Sequence, residues 1–218
     1  MFMSALWDTI FDMKERYENA EVFLVDNHIP ALRFGTAPNP VVFAAGFGAD
    51  EWQSCVLLLT FFEKLMEDIR RAKPMAGIAV RKAFKKRSVI IVPCVCPPKM
   101  HYEGEPIHMK DLSAFAKYLA YHKAGMLLCV SGTGGTIFTP HTNEAPRFEH
   151  ATVEKILCAC SALTPVSEQD SVAAKLCTWA SEQTDTPAYL LSPHTVQMAE
   201  LPLTYNALEE TFVVSSLL

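Results

Sequence analysis

Residues 41–52, "VVFAAGFGADEW", run from a continuous apolar stretch through a glycine turn to an acid, Glu51, at the head of an amphipathic segment. An acid placed there can ligate a metal ion if partner ligands join it, and position 48 on the same turn could have supplied one. Here position 48 is glycine. A second candidate is Ser131 in "LLCVSGTGG", a serine where an apolar stretch meets glycines. A serine nucleophile on a sharp elbow needs Gly-x-Ser-x-Gly leading into a helix. The residue two before Ser131 is Cys129, and a strand-like "TIFTP" follows, so a small filler residue is the favoured reading. "GTGG" lacks the Lys-Ser/Thr of a phosphate loop. A third candidate is Ser192, which ends the apolar "PAYLLS".

The elements that must position these residues follow from periodicity. Residues 5–18 read as a helix, and "AEVFLVDNHIPALRFG" as two strands around a turn at Asp26, Asn27 and His28. "PVVFAAGF" reads as a strand buried on both faces. Over residues 51–72, Trp52, Cys55, Val56, Leu59, Phe62, Leu65, Met66 and Ile69 recur with helical spacing. "SVIIVPCVCPP" and "GMLLCVSGTGG" are two more buried strands, "TIFTP" a short one and "PAYLLSP" a further one. Helices are expected over 109–123, 147–163, 168–183 and 204–213. Alternating strands and helices imply an α/β fold: a three-layer α/β/α sandwich with a largely parallel mixed central sheet. Sites in such sheets lie beyond the carboxyl ends of the strands. The turns at 46–51, 96–99 and 131–135, together with Ser192, fall there.

The totals narrow the classes. A chain of 218 residues, half of them hydrophobic, is expected to form one domain with a substantial core, residues 1–18 adding a helix packed on it. A net charge of −5 argues against phosphate-backbone binding, and the basic run "RKAFKKR" is short, so no nucleic-acid partner is expected. "MFMSALWDTIFDMKERY" lacks the basic start and apolar core of a secretory signal. No apolar run approaches the ~18 residues of a membrane span. Seven cysteines, an odd number mostly inside apolar segments, read as reduced buried thiols. A cytoplasmic protein without membrane partners is the expectation.

In order and spacing these turns resemble the site motifs of the zinc carboxypeptidase family, most closely its bacterial γ-D-glutamyl-diamino-acid peptidase branch. The family's Gly-x-His-x-x-Glu, often followed by Trp, matches Gly46, Gly48, Glu51 and Trp52. Its Val-Pro-x-x-Asn-Pro strand end matches Val92, Pro93 and Pro97, with Cys96 at the Asn position. Its strand ending in a zinc-binding His matches "LLCVSG", with Ser131 at the His position. Its Pro-x-x-Thr-x-Glu strand matches "PAYLLS", with Ser192 at the catalytic carboxylate, and "ELPLTYNALEETF" resembles the final helix entry. The likeness runs from about residue 20 to the end.

The resemblance thus implies a zinc-carboxypeptidase-like fold whose metal site is degenerate. Of the three ligand positions only Glu51 keeps a ligating side chain. A full structural set gains roughly 10–16 kcal/mol on binding zinc, and one carboxylate retains a small part of that. Without a partner ligand, Glu51 is expected to sit at positions N1–N3 of its helix, stabilised by free N–H groups and the helix dipole. Cys94/Cys96 and Cys158/Cys160 are expected to diverge rather than form a replacement set, and His101 and His108 to flank an exposed loop. His194, two residues past Ser192, stands near the expected site mouth. Gln197 offers a rival register for the carboxylate-bearing strand, with Glu200 close by. The expectation is a non-catalytic protein, without cofactor, that binds a peptide-like ligand or a partner protein. The competing expectation is an active zinc hydrolase using a displaced ligand set or Glu200.

Overall fold

The structure, a computed structural model, describes residues 2–48, 51–74, 84–96, 107–140, 153, 155, 163–193, 208 and 209. A helix α1 (Phe2–Arg16) leads into β1 (Ala20–Val25) and β2 (Ile29–Phe34). These two pair antiparallel. Their turn places Asp26 and Asn27 at φ 50° and 64°, the left-handed pair that matches strand twist in a tight hairpin. Then follow β3 (Val41–Ala44), α2 (Trp52–Arg70) and β4 (Val89–Val92). A single 3₁₀ turn (Met109–Leu112) opens α3 (Ser113–His122), and β5 (Met126–Val130) and β6 (Thr136–Phe138) come next. The described chain continues with β7 (Thr164–Val166), α4 (Val172–Thr184) and β8 (Ala188–Ser192).

The eight strands form one mixed sheet in the order β1-β2-β4-β3-β5-β8-β6-β7. The central run β4-β3-β5-β8 is parallel. β2 joins β4 antiparallel, and β6 joins β8 antiparallel while pairing parallel with β7. Side chains alternate between two cores, as a period of two demands. Val41, Phe43, Leu128 and Val130 pack with Leu6, Ile10 and Met13 of α1 and the inner face of α2. Val42, Ala44, Leu127 and Cys129 pack with Phe115 and Leu119 of α3 and Ala173, Leu176 and Cys177 of α4. This is the α/β/α sandwich that the alternation of elements implies.

Three elements differ from the sequence reading. β7 is an edge strand of three residues inside a stretch expected to link two helices. It is too short, and too interrupted by Pro165, to announce itself by alternation. The helix expected from residue 168 starts at Val172, because the Ser171 side chain accepts from Ala174 N–H (3.1 Å) and caps it there. The helix expected over 109–123 begins as the 3₁₀ turn, where Asp111 accepts from His108 N–H (2.9 Å). Of the helices expected over 147–163 and 204–213, residues 153, 155, 163, 208 and 209 are described; Leu163 is not helical and the other four are. Val153 and Leu208 sit in the first core.

Candidate functional site

Because the central strands are parallel, β3, β4, β5 and β8 all end on one edge of the sheet. Hydrogen bonding continues past the strands: Ala45 N–H to Val92 O (3.0 Å), Val95 N–H to Ala45 O (2.9 Å), Cys96 N–H to Gly46 O (3.2 Å) and Ser131 N–H to Leu191 O (3.0 Å). The turn from β3 into α2 is therefore zipped to the segment leaving β4. Gly46 makes that approach possible. Its φ is +71°, and a Cβ there would lie 2.8 Å from both Cys55 Sγ and Cys94 Cα.

Glu51 is the N-cap residue of α2, one place earlier than the sequence reading put it, and its side chain does not cap the helix. The carboxylate turns away from the helix N–H groups. Oε2 accepts from Phe47 N–H (2.8 Å), and Oε1 accepts from the Ser131 hydroxyl. The α2 dipole still favours a negative charge at this end, but the directional bonds go to the turn and to β5. Gly48 sits beside this carboxylate: a Cβ at 48 would lie 3.6–3.9 Å from Glu51 Cγ, Cδ and Oε1, in ordinary contact.

Ser131 and Ser192 are both buried. Ser192 Oγ–H donates to the Ser131 carbonyl (2.8 Å). A carbonyl only accepts, so the Ser192 hydrogen is committed. Ser192 Oγ can then only accept from its other neighbour, Gln169, whose Nε2 lies 3.3 Å away. This order fixes the Gln169 amide, leaving its buried Oε1 without a partner among the described residues. Sequence reasoning passed over Gln169, which lies in a polar stretch, "VSEQDS", that reads as a loop. Its role at the sheet edge depends on that loop folding back towards Ser192, which no local pattern encodes.

The strand β6 follows Ser131, not a helix, so the backbone is not a nucleophile elbow. The nearby thiols are not activated either. Hydrogen bonding to Cys94 and burial push the Cys55 thiol up, while burial and the Cys177 thiol do the same to Cys129. Thiols held protonated are poor nucleophiles and poor ligands. Cys94 and Cys96 do diverge, into the first and second cores respectively. Residues i and i+2 of a regular strand would share a face; these separate because the chain leaves the strand after Val92. Pro97, Lys99, His101, Cys158, Cys160, His194, Gln197 and Glu200 lie outside the described residues.

The described donors do not fit a zinc ion. Three protein ligands and an open position are needed. Gly48 offers none, and the Ser131 hydroxyl hydrogen points at Glu51, whose two oxygens already accept from the protein. Among the described residues, no group of three His, Cys, Asp or Glu side chains comes together to hold a metal.

No sequence-family profile and no curated protein matches the chain. Solved structures do match it in shape. The crystal structure of thrombin activatable fibrinolysis inhibitor superposes with a TM-score of 0.67 at 12% identity, covering 96% of this chain and 72% of that one. A metallo-carboxypeptidase from Pseudomonas aeruginosa gives 0.64 at 12%, covering 99% and 67%. A metallo-carboxypeptidase from Burkholderia cenocepacia gives 0.60 at 12%, covering 99% and 66%. The chain thus has the metallo-carboxypeptidase fold and spans about two-thirds of the length of the bacterial carboxypeptidase chains it matches.

Proposed function

We propose that this chain is a non-hydrolytic protein of carboxypeptidase fold, whose former metal site now serves as part of a binding surface for a peptide-like ligand or a partner protein. One observation carries the reading. The single ligand-type side chain at the site among the described residues, Glu51, accepts from Phe47 N–H and Ser131 O–H, so protein donors take up the carboxylate that a metal would need. Ser192 is spent in the same way, on the Ser131 carbonyl.

Hydrolysis on this fold needs a metal-acidified water and a carboxylate to move its proton. General acid–base help contributes typically ~10²–10⁴-fold, and the metal several kcal/mol of charge stabilisation. Neither group has a counterpart among the described side chains at this edge. The Glu51–Ser131 contact instead ties the start of α2 to the end of β5, a rigid floor for recognition.

The test is a panel of C-terminal and γ-glutamyl peptides assayed with and without added zinc. Turnover at background in both conditions is the expected result. Zinc-dependent turnover abolished by Glu51→Gln would overturn the reading. It would bring forward a displaced ligand set, with His194 and Glu200 as the first residues to replace.

A further inference from the structure

The sheet has two outer strands, and they are built differently. β7 is three residues long and carries Pro165, which removes a donor from the edge. Short length and proline are the usual protections against edge pairing. β1 is six residues long, "AEVFLV", with neither proline nor lysine. Its one charge, Glu21, stands opposite Arg33 of β2. Among the described residues no strand pairs with the outer edge of β1. Alternate residues of an antiparallel edge strand direct their N–H and C=O groups outward.

Both flanks of this edge are apolar. On one face Leu24, 46% exposed, points to the side where α1 lies. Arg16 of α1 meets Glu63 of α2. Helical spacing puts Trp7 and Phe11 on the flank away from that contact, towards the sheet edge. They stack at 5.7 Å, and Phe11 is 51% exposed. On the other face Phe23 of β1 meets Tyr118 of α3 (5.9 Å), Tyr118 meets His122 (4.3 Å), and His122 meets Tyr121 (5.0 Å). Tyr121 is 83% exposed. Three of the five large hydrophobic side chains exposed among the described residues, Phe11, Leu24 and Tyr121, thus belong to the three elements that meet at β1.

We propose that β1 is the interface of a two-fold dimer of this chain, in which two copies of the strand pair antiparallel and join their sheets. Antiparallel pairing of a strand with its own copy is self-complementary, as a two-fold interface requires. An axis normal to the sheet keeps the faces in register. The Trp7–Phe11 flank then meets its own copy, and so does the Tyr118–Tyr121 flank. A register centred on Phe23 sets each Glu21 opposite a Val25, so no like charges face each other. A strand pair alone falls short of the ~1,600 Å² of a standard interface. The flanking aromatic side chains add to it, and such residues are enriched at interface centres.

The test is the solution mass of the full chain by sedimentation or light scattering. The expected mass is twice the 24.2 kDa of one chain. Leu24→Lys and Phe11→Glu, both at exposed positions, are expected to give monomers with unchanged circular dichroism. Trp52→Ser, an equally exposed aromatic on α2 (49%), is expected to leave the dimer intact. Amide exchange gives a second measurement: protection of residues 21–24 should rise with protein concentration. A monomeric wild type overturns the proposal, including one that pairs only with a different protein. So does a dimer that survives both β1-side variants, or one that Trp52→Ser dissolves.

Discussion

The hydroxyl of Ser131 donates to Oε1 of Glu51 across 80 residues of chain, at the edge where the parallel strands end. That bond joins the first residue of a helix entry to the last turn of a neighbouring strand. It also decides what the carboxylate is available for.

Replacing Glu51 separates its structural role from its charge. In Glu51→Gln the amide oxygen can accept from Phe47 N–H while the amide N–H donates to Ser131 Oγ. Both bonds survive with one reversed, so the cost is expected to stay below about 1 kcal/mol. Glu51→Leu strands the Phe47 N–H and the Ser131 hydroxyl, at about 2–3 kcal/mol. Urea unfolding of the two variants checks the difference. Equal losses would contradict this account of the network.

Gly46 and Gly48 are two residues apart but make opposite demands. Gly46→Ala meets Cys55 Sγ and Cys94 Cα at 2.8 Å, with φ at +71°. A loss of about 2–4 kcal/mol is expected. Gly48→Ala puts a methyl 3.6–3.9 Å from Glu51 and is expected to cost little. Thermal unfolding of the pair reads this directly. A Gly48 variant as damaging as the Gly46 variant would mean that the site has no room for a side chain at 48.

Because position 48 accepts a side chain, part of the metal chemistry can be put back. Gly48→His with Ser131→His would supply two imidazoles beside Glu51. The double variant is expected to bind zinc at least about tenfold more tightly than either single variant, a difference of ~1.4 kcal/mol. Calorimetric titration with zinc measures it. Equal affinities in all three would show that positions 48, 51 and 131 do not converge on one ion. Adding Ser192→Glu introduces the missing carboxylate but sacrifices the bond to the Ser131 carbonyl, so any turnover gained comes with lower stability.

Acid sensitivity should come in part from the far half of α2. Burial raises the Asp68 carboxyl, but bonds to Lys64 (3.0 Å) and Lys73 (3.2 Å) outweigh it and hold the group below its usual value of 3.8. A depressed folded value means that the unfolded chain takes up the proton first. The contribution is therefore complete above pH ~4 and is lost as pH falls through the lower folded value. Asp68→Asn should flatten the stability–pH curve in that acid window and leave its slope near neutrality unchanged. A wild-type slope retained in the variant would assign the acid sensitivity elsewhere.

The sequence carries much of the scaffold and little of the wiring. The β3–turn–α2 unit is legible because an unbroken apolar strand, glycines and a helical period follow one another within about thirty residues. The parallel order of β4, β3, β5 and β8 follows from the helices between them. β7 is hidden by its length and by Pro165. Glu51 reads as a helix-stabilising acid because local rules see only its own helix; its bonds to Phe47 and Ser131 depend on the zipped turn. Gln169 is invisible in a polar loop until the fold brings it to Ser192. The stretch holding His194, Gln197 and Glu200, on which the rival register rests, lies outside the described residues.

The most direct test of the central claim is zinc content measured on the purified chain after dialysis against a mild chelator, with the Glu51→Gln variant alongside. The site as wired, with Glu51 accepting from Phe47 and Ser131, predicts occupancy far below one zinc per chain and no difference between the two proteins. Close to one zinc per wild-type chain, lost in Glu51→Gln, would contradict it.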